Sequence, residues 1–308
     1  MESWEKFDNK EKVEVIQRMQ DYIKDHLADP ITLYELAQSA GYSPWHSAKI
    51  FKEYIGKGPF EYIRSLRLSE AALELRDSNK KVIDVAVDFV FDSHEGFTRA
   101  FNREFGITPK KYQINKPPIY LFKAYSTKDR YAYACNLKCE EGEIVKMSNN
   151  FFVHVRDYPE RKLILKRGIT ATEYFKYVEE VGCEVWGLLC SFKEALYEPV
   201  GLWLPEKLIS KGTSRYVQGV EVNKDYNGVV PDGFEVINLP ACEMMLFQSQ
   251  PFKDEDFGKA IEQLESTIDD YDPSQQGFEW DLENSPRIQM SPQGYRGYME
   301  GLPVKVLK

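Results

Sequence analysis

The sequence lacks any long run of hydrophobic residues, and this absence excludes a membrane-spanning helix. Such a helix needs about 18 or more consecutive apolar residues, and no window of the 308 residues comes close. The first residues, MESWEKFDNKEKVEV, also lack the apolar segment and small-residue cleavage site of a secretory signal. We therefore expect a cytoplasmic protein.

Cysteine and histidine are scarce, with five and four residues respectively. An odd number of cysteines without a dense framework is typical of a reducing compartment, so no disulfide fold is expected. Cys135 and Cys139 are near each other, with His154 the nearest histidine, but a second Cys/His pair at zinc-binding spacing is missing. We expect two isolated thiols rather than a metal or redox site, and no cofactor.

Basic residues are outnumbered, 40 Lys+Arg against 49 Asp+Glu, which gives a net charge of −9. Through Lys116 there are 18 basic and 19 acidic residues, so 22 and 30 remain for the rest. The acidity therefore belongs to the C-terminal part. This negative net charge argues against non-specific binding of nucleic acid over the whole surface. It does not exclude a local surface that reads DNA.

A pattern in the first 116 residues recurs after 50 positions. In each copy a glycine can end one helix in the left-handed conformation, and a proline three residues later can begin the next. The recurring positions are Phe51, Gly56, Pro59 and Tyr62, matched by Phe101, Gly106, Pro109 and Tyr112.

Each copy is preceded by a short helix, a tight turn and a second helix, which is a helix-turn-helix unit. In the first unit Thr32 can cap the first helix, Gly41 can form the turn and Ser43 can cap the second helix. Residues 64–79 are rich in helix formers and predict one long helix between the units. The expected inward positions are Leu33, Leu36, Ala37, Ala48, Phe51 and Ile55, then Val82, Val85, Ala86, Phe89, Phe97, Ala100 and Phe101.

Two such units at a fixed spacing could enter major-groove faces roughly 34 Å apart on a DNA duplex. The alternative is a helical bundle with a duplicated packing motif and no ligand. Within residues 13–112, the segments GYSPWHSAKIFKEYIG and SHEGFTRAFNREFGITPKKY resemble the DNA-binding region of the AraC/XylS family of bacterial transcription regulators. The resemblance implies promoter DNA and RNA polymerase as partners. It also implies that bases are read by Trp45, Ala48, Lys49, His94, Glu95, Thr98 and Arg99.

The chemistry of these side chains suits base reading. Arg99 can pair with the two acceptors of guanine, Lys49 can reach guanine or phosphate, and Glu95 can accept from cytosine. Thr98 or the Trp45 ring can contact a thymine methyl. The alternatives are a solvated helix face for Arg99 and Lys49 and a core position for Trp45.

The second unit departs from the family at its turn. Val90 stands where the family commonly has glycine, and a β-branched residue with positive φ is strained. Either the turn takes another conformation or the second unit is imperfectly placed. The second helix of this unit can be capped by Asp92 or Ser93, and His94 is either a base contact or part of the cap.

After residue 150 the pattern strand, helix, strand, strand occurs twice, which predicts an α+β domain with helices on one face of an antiparallel sheet. The predicted domains are 1–116 for DNA binding, 117–150 as a connector and 151–308. The predicted strands are 151–156, 200–204, 215–222, 234–239, 243–247 and two short ones near Ile288 and Tyr298. The predicted helices are 171–191, with Phe175, Val178, Val181, Val185, Leu188 and Leu189 inward, and 255–270, with Phe257, Ile261, Leu264 and Ile268 inward.

Three segments of this half, YVQGVEV at 216–222, PDGFEVINLPA at 231–241 and EGLPV at 300–304, resemble the GyrI-like effector-binding domain. With the DNA-binding half first, the architecture resembles the Rob type of regulator. The resemblance implies two pseudo-symmetric halves around an aromatic cleft for organic, often cationic, molecules. The candidate walls are Trp186, Trp203 and Trp280, each with core filling as the alternative.

The resemblance also places a buried glutamate near the end of the domain, where this chain has Gln289. A polar neutral or anionic ligand near Arg287 is then possible, or Glu300 supplies the charge from the neighbouring strand. Glu221 is expected at a strand edge. The candidate ligand-binding residues are Trp186, Trp203, Trp280, Gln289 and Glu300.

These observations predict a transcription regulator whose promoter binding responds to a small organic effector. One alternative is a GyrI-like hydrolase that uses Glu300 and Trp186. Another is an architectural DNA binder without an effector. No Ser/His/Asp or Cys/His arrangement, phosphate-binding glycine loop or histidine-rich metal motif is evident in the sequence, so we expect no enzyme activity.

Overall fold

The computed structural model describes residues 10–124, 127, 151–253 and 256–307. The chain divides into two compact units, Glu2–Glu140 and Glu141–Lys308. Within the described residues the first unit is helical and the second is built on an antiparallel sheet, which confirms the predicted fold class. No helix in these ranges is both long and apolar enough to cross a bilayer. Cys135 and Cys139 lie outside them.

The helical unit has seven helices in its described part. They are α1 Lys10–Asp25, α2 Leu33–Ala40, α3 Pro44–Ile55, α4 Pro59–Asp77, α5 Val82–Asp88, α6 His94–Phe105 and α7 Pro109–Asn115.

The first helix-turn-helix unit consists of α2 and α3, and its ends are the predicted ones. The Thr32 side chain accepts from the backbone N–H of Glu35, whose carboxylate accepts in return, forming a capping box. Gly41 ends α2 in the left-handed conformation with φ 74°, and Ser43 caps α3. Leu36, Ala37 and Phe51 are buried as expected, so the local signals of the sequence determine this unit.

The second unit, α5 and α6, repeats this plan. Ser93 caps α6 by accepting from the backbone N–H of Gly96. Gly56 ends α3 with φ 82° and Gly106 ends α6 with φ 70°, while α4 and α7 both begin at a proline. The long helix predicted between the units is α4, 19 residues in length.

The turn of the second unit takes the strained conformation. Val90 has φ 59°, and Phe91 N–H donates to the Ala86 carbonyl as Tyr42 N–H donates to that of Ala37 in the first unit. Val90 therefore occupies the left-handed position that Gly41 occupies in the first turn. The second turn is one residue longer, because two residues separate Val90 from the cap Ser93.

We expect Val90→Gly to raise the free energy of unfolding of the helical unit by about 0.5 kcal/mol or more. Relief of about 1–2 kcal/mol of left-handed strain exceeds the greater backbone entropy of glycine, about 0.5–1 kcal/mol. Urea unfolding of the full chain, followed by circular dichroism at a helical wavelength, measures the change.

The matched control is Gly41→Val, for which the same measurement should show a loss of about 0.5 kcal/mol or more, the same difference with the opposite sign. No neighbouring atom lies within 4 Å of a Cβ at Gly41, so the loss reports backbone strain alone. A Val90→Gly variant less stable than the parent chain would show that the half-buried valine side chain contributes more than its strained backbone costs.

The sheet unit contains nine strands in its described residues, and every pairing between them is antiparallel. The strands are β1 Phe152–Tyr158, β2 Arg161–Arg167, β3 Val200–Trp203, β4 Tyr216–Asn223, β5 Glu235–Leu239, β6 Cys242–Gln248, β7 Phe278–Trp280, β8 Arg287–Met290 and β9 Met299–Val306. The helices are α8 Tyr174–Val181, α9 Glu184–Cys190 and α10 Phe257–Asp269.

The strand order β1-β6-β9-β8-β3-β4-β2-β5, with β7 also on β9, shows two similar halves. One half is β2, α8, α9, β3 and β4, and the other is β6, α10, β8 and β9, so each has the predicted strand, helix, strand, strand order. The halves meet where β3 pairs with β8. The outer strands are exchanged, because β1 pairs with β6 and β5 pairs with β2.

Several predictions within this unit were wrong. The single helix 171–191 is two helices, α8 and α9, because Gly182 breaks it with φ 101° and ψ 150°. Tyr177 is the fully buried residue of α8, and Phe175 is only half-buried. Strands β2 and β7 were not predicted. The helix expected from position 255 begins at Phe257.

Hydrophobic clusters lie on both faces of the sheet. Leu165, Leu202 and Leu246 belong to the cluster formed by sheet residues of both halves. On the face covered by helices, α8 and α9 pack over one half, around Tyr177 and Val220. Helix α10 packs over the other half, where its residue Leu264 belongs to a cluster with Phe247 of β6. The central strands β3 and β8 lie between these two helix-covered cores.

Candidate nucleic-acid interface and effector cleft

Helix α3 presents an aromatic and basic surface. Trp45 is 71% exposed, so it is not a core residue. The Lys49 Nζ lies 5.4 Å from the centroid of the Trp45 ring, within cation–π range. Ala48 is half-buried. The opposite side of α3 carries Ile50 and Phe51, both in the core, and this 3.6-residue period fixes which side faces outward.

Helix α6 presents the corresponding surface of the second unit. His94, Glu95 and Arg99 are exposed, Thr98 is half-buried, and Phe97 is fully buried on the opposite side. His94 is the first residue of α6, and the side-chain cap is supplied by Ser93. Each of the seven predicted DNA-reading residues is thus at least partly accessible.

In the sheet unit, Trp203, Gln289 and Glu300 come together on the central strands. Trp203 of β3 lies opposite Arg287 of β8, and Gly201 lies opposite Gln289. Gln289 in turn lies opposite Glu300 of β9. Successive strands therefore place these side chains in two neighbouring rows, which form the floor of a candidate cleft.

The floor residues form one continuous hydrogen-bonded chain. The Tyr216 hydroxyl donates to Gln289 Oε1 over 2.8 Å, and Gln289 Nε2 donates to the Tyr298 hydroxyl over 2.7 Å. Tyr298 donates to Glu300 Oε1 over 2.5 Å, and Arg287 Nε donates to Glu300 Oε2 over 2.5 Å. Each residue of the chain is hydrogen-bonded to the next, so the network holds a fixed geometry.

Arg287, the cationic end of this network, lies against an aromatic ring. The Arg287 guanidinium carbon lies 5.0 Å from the centroid of the Trp203 ring. The Trp203 indole N–H donates to the Thr172 carbonyl over 2.9 Å, and its ring lies 5.1 Å from that of Tyr216. Gly201 belongs to the same arrangement, because a Cβ at this position would collide with the Tyr216 hydroxyl.

The other two tryptophans lie apart from this contact set. Trp186 on α9 is half-buried, with its ring centroid 6.5 Å from that of Tyr174. Trp280 on β7 packs beside Phe247 at the edge of the second helix-covered core. The structure therefore links Trp203, Gln289 and Glu300 through Tyr216, Tyr298 and Arg287, whereas Trp186 and Trp280 have other partners.

Sequence reasoning missed Tyr216, Tyr298 and Glu265. Tyr216 and Tyr298 are fully buried, and burial followed by the nearby Glu300 raises the pKa of Tyr298 well above its usual value. Glu265 on α10 has its pKa raised to about 7, mainly by burial and then by Glu300, against the lowering effect of Arg287. Tyr216 stood within the quoted YVQGVEV segment, but its role depends on partners from distant strands.

Glu221 was wrongly expected at a strand edge. It lies on β4, which is paired on both sides, and it is 0% exposed. Its carboxylate pairs with Arg161, itself 1% exposed, whose guanidinium also donates to the carbonyls of Pro159 and Pro240. This pair joins the turns before β2 and before β6 and belongs to the fold rather than to the cleft floor.

Comparison with known proteins finds relatives of the helical unit among helix-turn-helix proteins. A family model described as a helix-turn-helix domain matches residues 36–114. The right origin-binding protein of Escherichia coli K12 is 37% identical over 115 residues, which cover 35% of this chain and 40% of that protein. The HTH-type transcriptional activator AarP of Providencia stuartii is 36% identical over 101 residues, which cover 33% of this chain and 75% of that protein.

A crystal structure of an AraC-type transcriptional regulator from Chromobacterium violaceum aligns with 33% of this chain and 90% of that one, at 23% identity and a TM-score of 0.32. The chain spans 40% of the length of the right origin-binding protein. The two helix-turn-helix units and the matched relatives define the class of the helical unit, which is that of helix-turn-helix transcription regulators. The chain belongs to the AraC/XylS family.

Proposed function

We propose that the sheet unit is a GyrI-like domain that binds a small organic effector over Trp203, and that binding changes how the helical unit meets promoter DNA. The observation that carries the proposal is the buried polar chain from Tyr216 to Arg287 in the middle of the sheet. Burying an ion pair and two hydroxyls is costlier than hydrophobic packing. A polar floor between two apolar cores therefore favours a binding role.

The proposed DNA-reading residues are Trp45, Ala48 and Lys49 on α3 and His94, Glu95, Thr98 and Arg99 on α6. Their accessibility supports this role. The proposed domain boundaries remain 1–116, 117–150 and 151–308, and RNA polymerase is the further protein partner that the family resemblance implies. For the effector to act as a switch, its affinity must differ between the DNA-competent and the incompetent form.

The test begins with selection of a DNA site by the full chain, followed by a thermal-shift screen of metabolites. A ligand at 100 times its dissociation constant stabilises the folded protein against unfolding by about 2.7 kcal/mol. We expect a stabilising compound to change the affinity for the selected DNA by about 5-fold or more.

Two results would contradict the proposal. Unchanged DNA affinity in the presence of every stabilising compound would favour an architectural DNA binder. Turnover of a bound compound that is lost in Glu300→Gln would favour the hydrolase alternative.

A further inference from the structure

We propose that the cleft over Trp203 selects an organic anion with a planar apolar body, bound by the free edge of the Arg287 guanidinium. This inference rests on the effector role proposed above and names the chemical class of the effector. Its basis is that the Glu300 carboxylate already has partners within the chain, in Arg287 and Tyr298.

The position that suits an organic cation is filled by the chain itself. An aromatic face next to a buried carboxylate is the environment that holds an organic cation. Here that environment consists of Trp203 and Glu300, and Arg287 occupies it. The second oxygen of Glu300 accepts from Tyr298. A cationic ligand would have to displace a tethered guanidinium from a carboxylate that is 0% exposed.

Arg287 retains donors for an incoming anion. Its Nε and one Nη2 hydrogen are directed at the same oxygen of Glu300. A guanidinium carries five N–H donors, and among the residues the structure describes Nη1 and the second hydrogen of Nη2, which form the terminal edge, have no hydrogen-bond partner. The Arg287 side chain is 23% exposed. A carboxylate can bind such an edge through two parallel hydrogen bonds.

The other residues of the hydrogen-bonded chain, apart from Glu300, are uncharged, and two of them are aromatic. Tyr216, Gln289 and Tyr298 are uncharged, and burial raises the pKa of both tyrosine hydroxyls, so they stay protonated. The half-buried Trp203 ring, whose centroid lies 5.0 Å from the Arg287 guanidinium carbon, offers a flat apolar surface beside this edge. These features suit an aromatic or otherwise planar acid.

Glu265 links this binding to pH. With its pKa raised to about 7, the carboxyl is protonated below neutral pH and ionised above it. An anion beside Arg287 is bound best while Glu265 is protonated, so affinity is lost as the pH rises through 7. The charged and titratable groups that interact with Glu265 are Glu300 on β9, Tyr298 just before β9, Arg287 on β8, and Glu262 and Asp269 on its own helix.

The experiment compares three probes that share a naphthalene ring and carry an anionic, a neutral and a cationic group: naphthoate, naphthamide and naphthylmethylammonium. Isothermal titration calorimetry of the full chain at pH 6 should rank naphthoate as the tightest ligand. Between pH 6 and pH 8 its affinity should fall by up to about tenfold, with proton uptake visible as a dependence on buffer ionisation enthalpy. Glu265→Gln should bind naphthoate with no such pH dependence.

Substitution of the guanidinium tests the binding group itself. We expect Arg287→Met to weaken naphthoate at least about tenfold. Because this change leaves Glu300 buried and unpaired, the double variant Arg287→Met/Glu300→Gln provides a neutral floor that is able to fold, and it should show the same loss. Arg156→Met, the same substitution at an exposed position on β1, is the matched control and should bind as the parent chain does.

Naphthoate binding that survives in the double variant, or that is weaker than naphthylmethylammonium binding in the parent chain, would overturn the proposal. Absence of naphthoate binding in the parent chain would also overturn it. If the amide or the ammonium probe binds instead and alters DNA affinity, the effector role stands and only the anion selectivity fails.

Discussion

Replacing Glu221 by alanine is expected to lower the free energy of unfolding of the sheet unit by about 3–5 kcal/mol. The substitution leaves the Arg161 guanidinium, 1% exposed, without the carboxylate that compensates its charge. Removing one partner of a buried pair is far costlier than removing both, because the remaining charge has lost its water as well as its partner. Urea unfolding monitored by tryptophan fluorescence measures the loss.

Two controls separate the lost charge pairing from general damage. The double variant Arg161→Met/Glu221→Leu removes both charges and should recover most of the stability. Glu160→Ala removes an exposed carboxylate whose nearest lysine amine, on Lys224, is 3.9 Å away, and it should unfold at the parent urea concentration. A Glu221→Ala variant as stable as the parent would show that Arg161 is compensated by its carbonyl contacts alone.

Replacing Arg99 by alanine is expected to remove the preference for one base pair of the selected DNA site. A bidentate contact from arginine to guanine contributes about 1–3 kcal/mol of discrimination, which corresponds to roughly tenfold to hundredfold in relative affinity. Arg99 is exposed on α6, on the side opposite the buried Phe97. Competition binding with site variants that differ at single positions measures the change.

Arg64→Ala provides the matched control, since Arg64 is an exposed arginine on α4, outside the proposed reading surface. It should leave the ranking of site variants unchanged. If Arg99→Ala weakened all sites equally, Arg99 would be a phosphate contact, and the assignment of the reading surface of the second unit would be wrong.

The helix-turn-helix units were predictable because their signals are local. Thr32 and Glu35 interact across three positions, and Gly41 and Gly106 end their helices through contacts within one turn. A 50-residue repeat supplied the same signals twice. Val90 was recognised as a strained position, but only the structure showed that it keeps the left-handed conformation and that the turn is one residue longer.

The sheet was less predictable because strand pairing is not local. Alternation of side chains indicates which residues share a face but not which strands are neighbours. Strand β2 was missed although four of its seven residues are buried, and the exchange of β1 and β5 between the two halves has no counterpart in the local pattern. The helix break at Gly182 depends on a single backbone conformation.

The sequence by itself determined that two helix-turn-helix units precede an α+β domain, and which residues of α3 and α6 point away from their cores. Only the tertiary structure decided that Glu221 pairs with Arg161 across 60 positions and that Tyr216 bonds Gln289 across 73. Capping and helical periodicity act over three or four residues, so they can be read from the chain. A buried ion pair or a cleft floor exists only once strand register has brought distant side chains together.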